Sequence, residues 1–234
     1  MKKPKLLTTL AILASLVSLS QARFYIGVEG GYVYGNIDKS MEGYTDYKWA
    51  GLGTDSTITY IPGCNIKNAY KGYGYLLNLN IGNEYHFDDK DMYGLRWIGA
   101  IGYGNTNLVN QANKDINYPS YMLNLSVGMD ALFDVIKFDE SNSLGFFIGL
   151  EGGVNALISN AKIKDSANDH PIIGNMSILL TPRFGASLLL DNHHRIEIMG
   201  KIPAYIYNAS QNATSKPTYS LTPYEVMLSY KYIF

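Results

Sequence analysis

Ten ionisable residues stand singly among small ones along this chain: Glu29, Glu84, Arg96, Asp130, Glu151, Arg183, Glu197, Lys201, Glu225 and Lys231. Each lies inside a segment of alternating polarity, on the side that carries Gly, Ser and Asn. Both signs are present in similar number. Charges turned toward one narrow space can pair and fill it, or can pass ions and protons along it. Buried charges are tolerated when they are paired and hydrogen-bonded. An interior bounded by about eight strands is only wide enough for its own side chains. The expectation is therefore a structural network that plugs and stiffens the interior, with an ion path as the alternative.

Other chemistry has weaker support. The histidines are His86, His170, His193 and His194. A lipid hydrolase would need one of them beside a Ser, with a carboxylate to orient it. Asp165 and Ser166 lie near His170 in sequence, but nearness within a loop does not make a triad. Adjacent residues such as His193 and His194 rarely converge on one ion. Phosphate-loop, CxxC and HExxH patterns are missing. Expected catalytic, cofactor and metal sites are therefore none, and the protein is not expected to be an enzyme. Cys64 stands alone and cannot close an internal disulfide.

Segments with period-2 polarity must position the ten charges. They run Phe24 to Gly35, Gly72 to Phe87, Tyr93 to Gly104, Ser120 to Asp134, Leu144 to Ile158, Asn175 to Leu190, Arg195 to Tyr207 and Thr222 to Phe234. In the last, Tyr224, Val226, Leu228, Tyr230, Tyr232 and Phe234 share one face. In the seventh, Ile202, Ala204 and Ile206 are expected to share the apolar face, with Tyr205 opposite. Long polar connections follow the first, third, fifth and seventh segments, and short ones follow the second, fourth and sixth. Short turns on one side and long loops on the other are the mark of a membrane barrel with both termini in the periplasm. The expected fold is all-β: a transmembrane, antiparallel, up-and-down β-barrel of about eight strands. It becomes ten if a hairpin of Tyr44 to Trp49 with Thr57 to Ile61 inserts.

The composition agrees with a membrane location. The chain has 20 Tyr, 23 Gly and only 17% charged residues. Tyr suits interfaces that are dry on one side and wet on the other. A lipocalin-type soluble barrel would wet its polar face with Lys, Glu and Thr, not with Gly. Met1 to Ala22 reads as a secretory signal peptide: Lys2, Lys3 and Lys5 precede an apolar core, and Ser20-Gln21-Ala22 is a small-x-small cleavage site. The core is shorter than the ~20 residues of a spanning helix. Cleavage takes the net charge from −1 to −4, too mild to imply nucleic acid. The barrel domain is 23–234, expected as a monomer in the cell outer membrane, in contact with the lipid bilayer and lipopolysaccharide.

An octapeptide recurs: Phe24-Tyr-Ile-Gly-Val-Glu-Gly-Gly31 and Phe146-Phe-Ile-Gly-Leu-Glu-Gly-Gly153. Duplication of a four-stranded half and repeated use of one strand recipe both account for it. The longest connection, 36–71, carries Tyr44, Tyr47, Trp49, Tyr60 and Tyr70. Exposed aromatics there favour an extracellular ligand; a loop folded over the barrel mouth is the other reading.

The stretch Arg23-Phe-Tyr-Ile-Gly-Val-Glu-Gly-Gly-Tyr32 and the strand Tyr224 to Phe234 resemble the Helicobacter-type outer-membrane protein family. Such members open with a phenylalanine-tyrosine strand and close with an aromatic-rich one. The resemblance implies that Tyr230, Tyr232 and Phe234 form the signal read by the barrel-assembly machinery. It also implies a surface role such as adhesion, or else a small porin. A large surface domain with paired cysteines, found in the bigger adhesin members, is missing from this chain. The expected role is surface interaction through extracellular loops, with a channel second and a lipid-modifying enzyme third.

Overall fold

The computed structural model describes residues 22–41, 44–48, 57–88, 90–115, 117–165, 168–208 and 218–234. The strands are β1 (Arg23–Met41), β2 (Tyr44–Lys48), β3 (Thr57–Ile61), β4 (Cys64–His86), β5 (Tyr93–Asn110), β6 (Asn117–Lys137), β7 (Ser143–Asp165), β8 (Asn168–Leu190), β9 (His194–Lys201), β10 (Tyr205–Asn208) and β11 (Thr218–Ile233). The barrel strands alternate, with most of their described apolar side chains facing out. Val28, Leu79, Ile101, Val127, Ile148 and Leu228 are all exposed, while their neighbours along each strand point inward. This is the inversion of a soluble core that a lipid-facing wall requires.

Eight antiparallel strands close the ring, in the order β8-β7-β6-β5-β4-β1-β11-β9, with β9 pairing back onto β8. The pair β2–β3 is a separate two-stranded sheet, Tyr44 opposite Ile61 and Lys48 opposite Thr57, so the ring stays at eight. Trp49 lies outside the described residues, as does all of the segment read from sequence as a signal peptide but Ala22. From Glu225 the ladder passes to Lys201, Arg183, Gly149, Asp130, Arg96, Glu84 and Arg23. Glu225 itself pairs with Val33 on β1. The ladder thus returns to β1 offset by 10 residues, Arg23 against Val33. Such a stagger goes with strongly tilted strands and a narrow barrel.

Aromatic side chains gather at both edges of the outer wall. At the long-loop edge the Tyr34 ring lies 5.1 Å from that of Tyr73 and 6.2 Å from that of Tyr224. At the short-turn edge Phe133 stacks on Phe146 at 4.8 Å and Phe24 meets Phe234 at 5.7 Å. The strands run further at the long-loop end than the alternation predicts. The stretches 36–41, 64–71, 159–165 and 168–171, read from sequence as loop, are strand. The polarity of these stretches does not alternate cleanly, while their backbone groups still gain by pairing.

A second difference lies at Pro203. Lys201 pairs with Arg183, but Tyr205 pairs with Leu180. One strand spends four residues where its partner spends three, which makes a bulge. Pro203 has no N–H to give to a ladder. The extra residue inverts the pattern: Tyr205 and Tyr207 are outward and exposed, and Ile206 is half-buried. The expectation that Ile206 shares the outer face with Ile202, and that Tyr205 opposes it, is therefore corrected.

The short turns are built from side-chain acceptors. Asp191 and Asn192 take φ of 53° and 59°, the left-handed values of a primed turn, and His193 N–H donates to Leu190 O at 3.1 Å to close it. Asp139 Oδ1 accepts the backbone N–H of Ser141 at 2.8 Å and of Asn142 at 2.7 Å. Asn142, which also donates from its side chain, and the neighbouring donors hold the Asp139 carboxyl below its ordinary value. A lowered carboxyl pKa adds stability above the unfolded value and loses it as pH falls through the folded one. Asp139→Ala should therefore lower the unfolding midpoint at neutral pH. The deficit should shrink once the pH drops below the ordinary carboxylate range. A pH series of urea midpoints checks this, and a pH-independent deficit would remove the charge from the account.

Candidate functional site

All ten charged residues marked in the sequence point inward and are buried. Seven of the eight rungs in the ladder from Glu225 to Arg23 carry a charge; the eighth is Gly149. Hydrogen bonding between tilted strands thus winds acids and bases of both signs round the wall. Arg96 meets Asp130 at 2.6 Å and also binds Glu197. Arg183 reaches Glu151 at 2.9 Å, Asp130 at 3.2 Å and Glu29 at 3.3 Å. Lys201 lies 3.0 Å from Glu151, 3.3 Å from Glu29 and 3.8 Å from Glu225. Lys231 joins Glu197 and stands 3.8 Å from Glu29. These nine residues form one connected set.

Glu84, the tenth, belongs to a second set at the short-turn end. Arg195 binds it at 3.2 Å and Asp134 at 2.9 Å. Arg23 reaches Glu84 at 3.1 Å and His86 Nδ1 at 2.9 Å, and His86 Nε2 lies 3.5 Å from Asp134. Sequence reasoning left Arg195, Asp134 and His86 out of the interior set. Counting by twos from Glu197, Asp130 and Glu84 puts all three on the polar face, but they sit at strand ends, where turn and wall are hard to separate.

Glycine makes the crowding possible. A Cβ on Gly149 would stand 2.0 Å from Asp130 Oδ1, and one on Gly27 2.5 Å from Asn80 Oδ1 and 2.7 Å from Lys231 Cγ. These are the glycines two places before Glu151 and Glu29. The recurrent octapeptide therefore does one job twice: it clears a position and delivers an acid to the same two cations, Arg183 and Lys201. Phe147 lies between two guanidinium groups, 4.9 Å from that of Arg96 and 5.7 Å from that of Arg183.

Toward the long-loop end the lining turns apolar. Val33, Ile37, Leu76, Leu108, Met122 and Leu157 are buried in one cluster. Beside Glu151, Lys201 and Glu225 is a cavity of about 10 Å³, also lined by Asn124 and Thr181, among others. That is room for about one water.

The terminal strand keeps Tyr230, Tyr232 and Phe234 on the outer face. Phe234 N–H donates to Phe24 O at 2.8 Å, so pairing continues to the last residue. His193 donates from Nδ1 to Ile233 O at 2.8 Å, and His194 Nδ1 lies 2.8 Å from the Tyr230 hydroxyl. The two histidines thus serve different partners. Among the described residues no group of three His, Cys, Asp or Glu could hold a metal. The side chains of Cys64, Asp165 and His170, and Ser166 entirely, lie outside the described residues.

The model of the Helicobacter outer membrane protein family matches residues 78–234, which takes in the last part of β4 and every later strand. The chain belongs to that family. Its location is therefore the outer membrane. Several solved barrels are similar. OprG of Pseudomonas aeruginosa is 16% identical, with 92% of this chain and 97% of that one covered and a TM-score of 0.46. The outer membrane protease OmpT of Escherichia coli is 9% identical, with 93% and 98% covered and a TM-score of 0.41. Ail, the attachment invasion locus protein of Yersinia pestis, is 12% identical, with 90% and 98% covered and a TM-score of 0.35. No curated protein matches the chain.

Proposed function

We propose that the protein is a closed, monomeric barrel whose work is done at the cell surface, on a scaffold stiffened by the lumen charges. The observation that carries this reading is the filled interior: charges in contact through the membrane, an apolar layer above them and a void of about 10 Å³. A hydrated ion does not fit such a space. The long outer strand ends and the β2–β3 sheet then offer segment 36–71 to an extracellular ligand, where loops on rigid scaffolds often act. Tyr60 is exposed there. The same reading keeps lipid and lipopolysaccharide on the outer wall and assigns Tyr230, Tyr232 and Phe234 to the barrel-assembly machinery.

Refolded protein with a heat-modifiable gel shift should be electrically silent in a planar bilayer. Stable stepwise openings would overturn the closed reading in favour of a small channel. Deletion of 42–56 should leave folding and silence intact while abolishing binding to whole cells or matrix components. Binding unchanged by the deletion would move the surface role to other loops.

A further inference from the structure

The ring is zipped unevenly. β9 pairs with β8 over eight residues and with β11 over eight, whereas every other ladder of the ring runs sixteen or more. Pairing of β11 with β9 ends at Glu225 with Lys201. Above that level β11 pairs only with β1 and β10 only with β8. β10 and β11 stand side by side there without a paired residue. Two prolines account for the break. Ile233 N–H donates to His193 O at 2.8 Å, so the odd-numbered residues of β11 turn their backbone groups toward β9. Ile202 N–H donates to Pro182 O and Ala204 N–H to Leu180 O, so Pro203 between them turns the other way, toward β11. Extending the register of Glu225 with Lys201 makes Pro223 and Pro203 the next two residues to exchange hydrogen bonds. Neither has an N–H to give. Both bonds of that rung are lost together, and two strand edges are left open in a wall whose closure otherwise removes edges.

Apolar surface lies on both sides of this seam. On the lumen side Val33 and Ile37 of β1, opposite Glu225 and Leu221 of β11, belong to the buried apolar cluster. Pro223, opposite Gly35, is buried between them. On the outer side Ile202 and Tyr224, the residues just above the last pair, line an apolar groove of about 1100 Å³. The groove continues along one rung of the wall, over Val226, Gly200, Phe184 and Ile148. Lys201 and Glu225 form the sill beneath the seam, with both side chains buried.

We propose that this seam is a lateral gate for uncharged apolar molecules, joining the apolar part of the lumen to the outer groove and the bilayer. β10 and β11 share no ladder, so parting them breaks no backbone pairing. Lumen layer, seam and groove follow one another at one level of the wall. A charged molecule would give up its hydration along such a route. The ion pairs beneath the sill stay in place as the gate opens, so ions do not follow and the barrel remains electrically silent.

The test uses the folded full-length barrel in phosphatidylcholine vesicles, with Cys64→Ser as the background. Val33→Cys places a thiol on the lumen side of the seam. Pyrene maleimide, which dissolves in the bilayer, should label it about a hundredfold faster than a sulfonated maleimide, whose charge must be desolvated. Pro203→Val combined with Pro223→Val returns both donors and closes the rung. It should slow pyrene labelling about tenfold or more, the scale of two restored backbone hydrogen bonds. Equal pyrene rates in parent and closed variant, or equal rates for the two reagents, overturn the proposal. If the closed variant fails to fold, hydrogen exchange on the parent decides. The amides of Tyr219 and Leu221, which face the seam, should exchange about a hundredfold faster than those of Ser220 and Thr222, which face β1. Equal protection of the two sets overturns the gate.

Discussion

Arg183→Met is expected to cost the folded barrel about 3–5 kcal/mol, the range for removing one partner from a buried ion set. Arg183 is the hub that ties Glu29, Asp130 and Glu151 together from β1, β6 and β7. Met replaces most of its volume but none of its donors. Lys201 still reaches Glu29 and Glu151, and Arg96 still holds Asp130, so the loss should not grow to the sum of three broken pairs. Adding Glu29→Gln and Glu151→Gln to Arg183→Met should recover part of the loss, because the stranded charges are then gone. Urea midpoints in phospholipid vesicles and the temperature of the gel shift provide the readout. Midpoints equal to the parent for both Arg183→Met and Arg96→Met would mean that the interior charges do not hold the wall.

The wall itself was largely legible from sequence, because lipid and lumen are different solvents and every strand alternates between them. Glu29, Arg96, Asp130 and Arg183 are each flanked by apolar residues that could only face out, so their direction followed. The ion pairs did not follow. Which acid meets which base depends on a stagger of 10 residues round the ring, visible only once every register is known. Pro203 shows the other limit. Its missing N–H signals a break, yet only the pairing of Tyr205 with Leu180 reveals that one residue is bulged out and the faces are exchanged. Arg195 and Asp134 were missed for a related reason: at strand ends a polar residue fits a turn as well as a lumen.

The apolar layer above the charges is also hard to see in advance. Val33, Leu76, Leu108, Met122 and Leu157 stand at inward positions where the rest of the lining is polar. In each strand alone they look like lapses in the alternation. Only the closed ring brings them to one end, where they keep water from the outer face away from the ion pairs and so strengthen them.

Val127→Arg tests which solvent lies outside. Val127 is 70% exposed, on the outer face at mid-strand, with Gly99 and Gly152 as its ladder partners. A charged side chain there has neither a carboxylate to meet nor a bulky neighbour to displace. In phospholipid vesicles it should cost about 2–4 kcal/mol, the depth-dependent cost at the midplane of a barrel. Tyr73, 74% exposed, lies at the outer aromatic edge, where a guanidinium reaches water and head groups. Tyr73→Arg should cost only about 0–1 kcal/mol. Both sites are more exposed than most of the wall, so a water-solvated barrel would accept either change at little cost. The difference between the two losses, measured by urea titration of the same refolded preparations, therefore isolates the hydrocarbon. Small and equal losses would contradict a lipid-facing wall at Val127, whereas a large loss confined to Val127 is what the reversal of polarity requires.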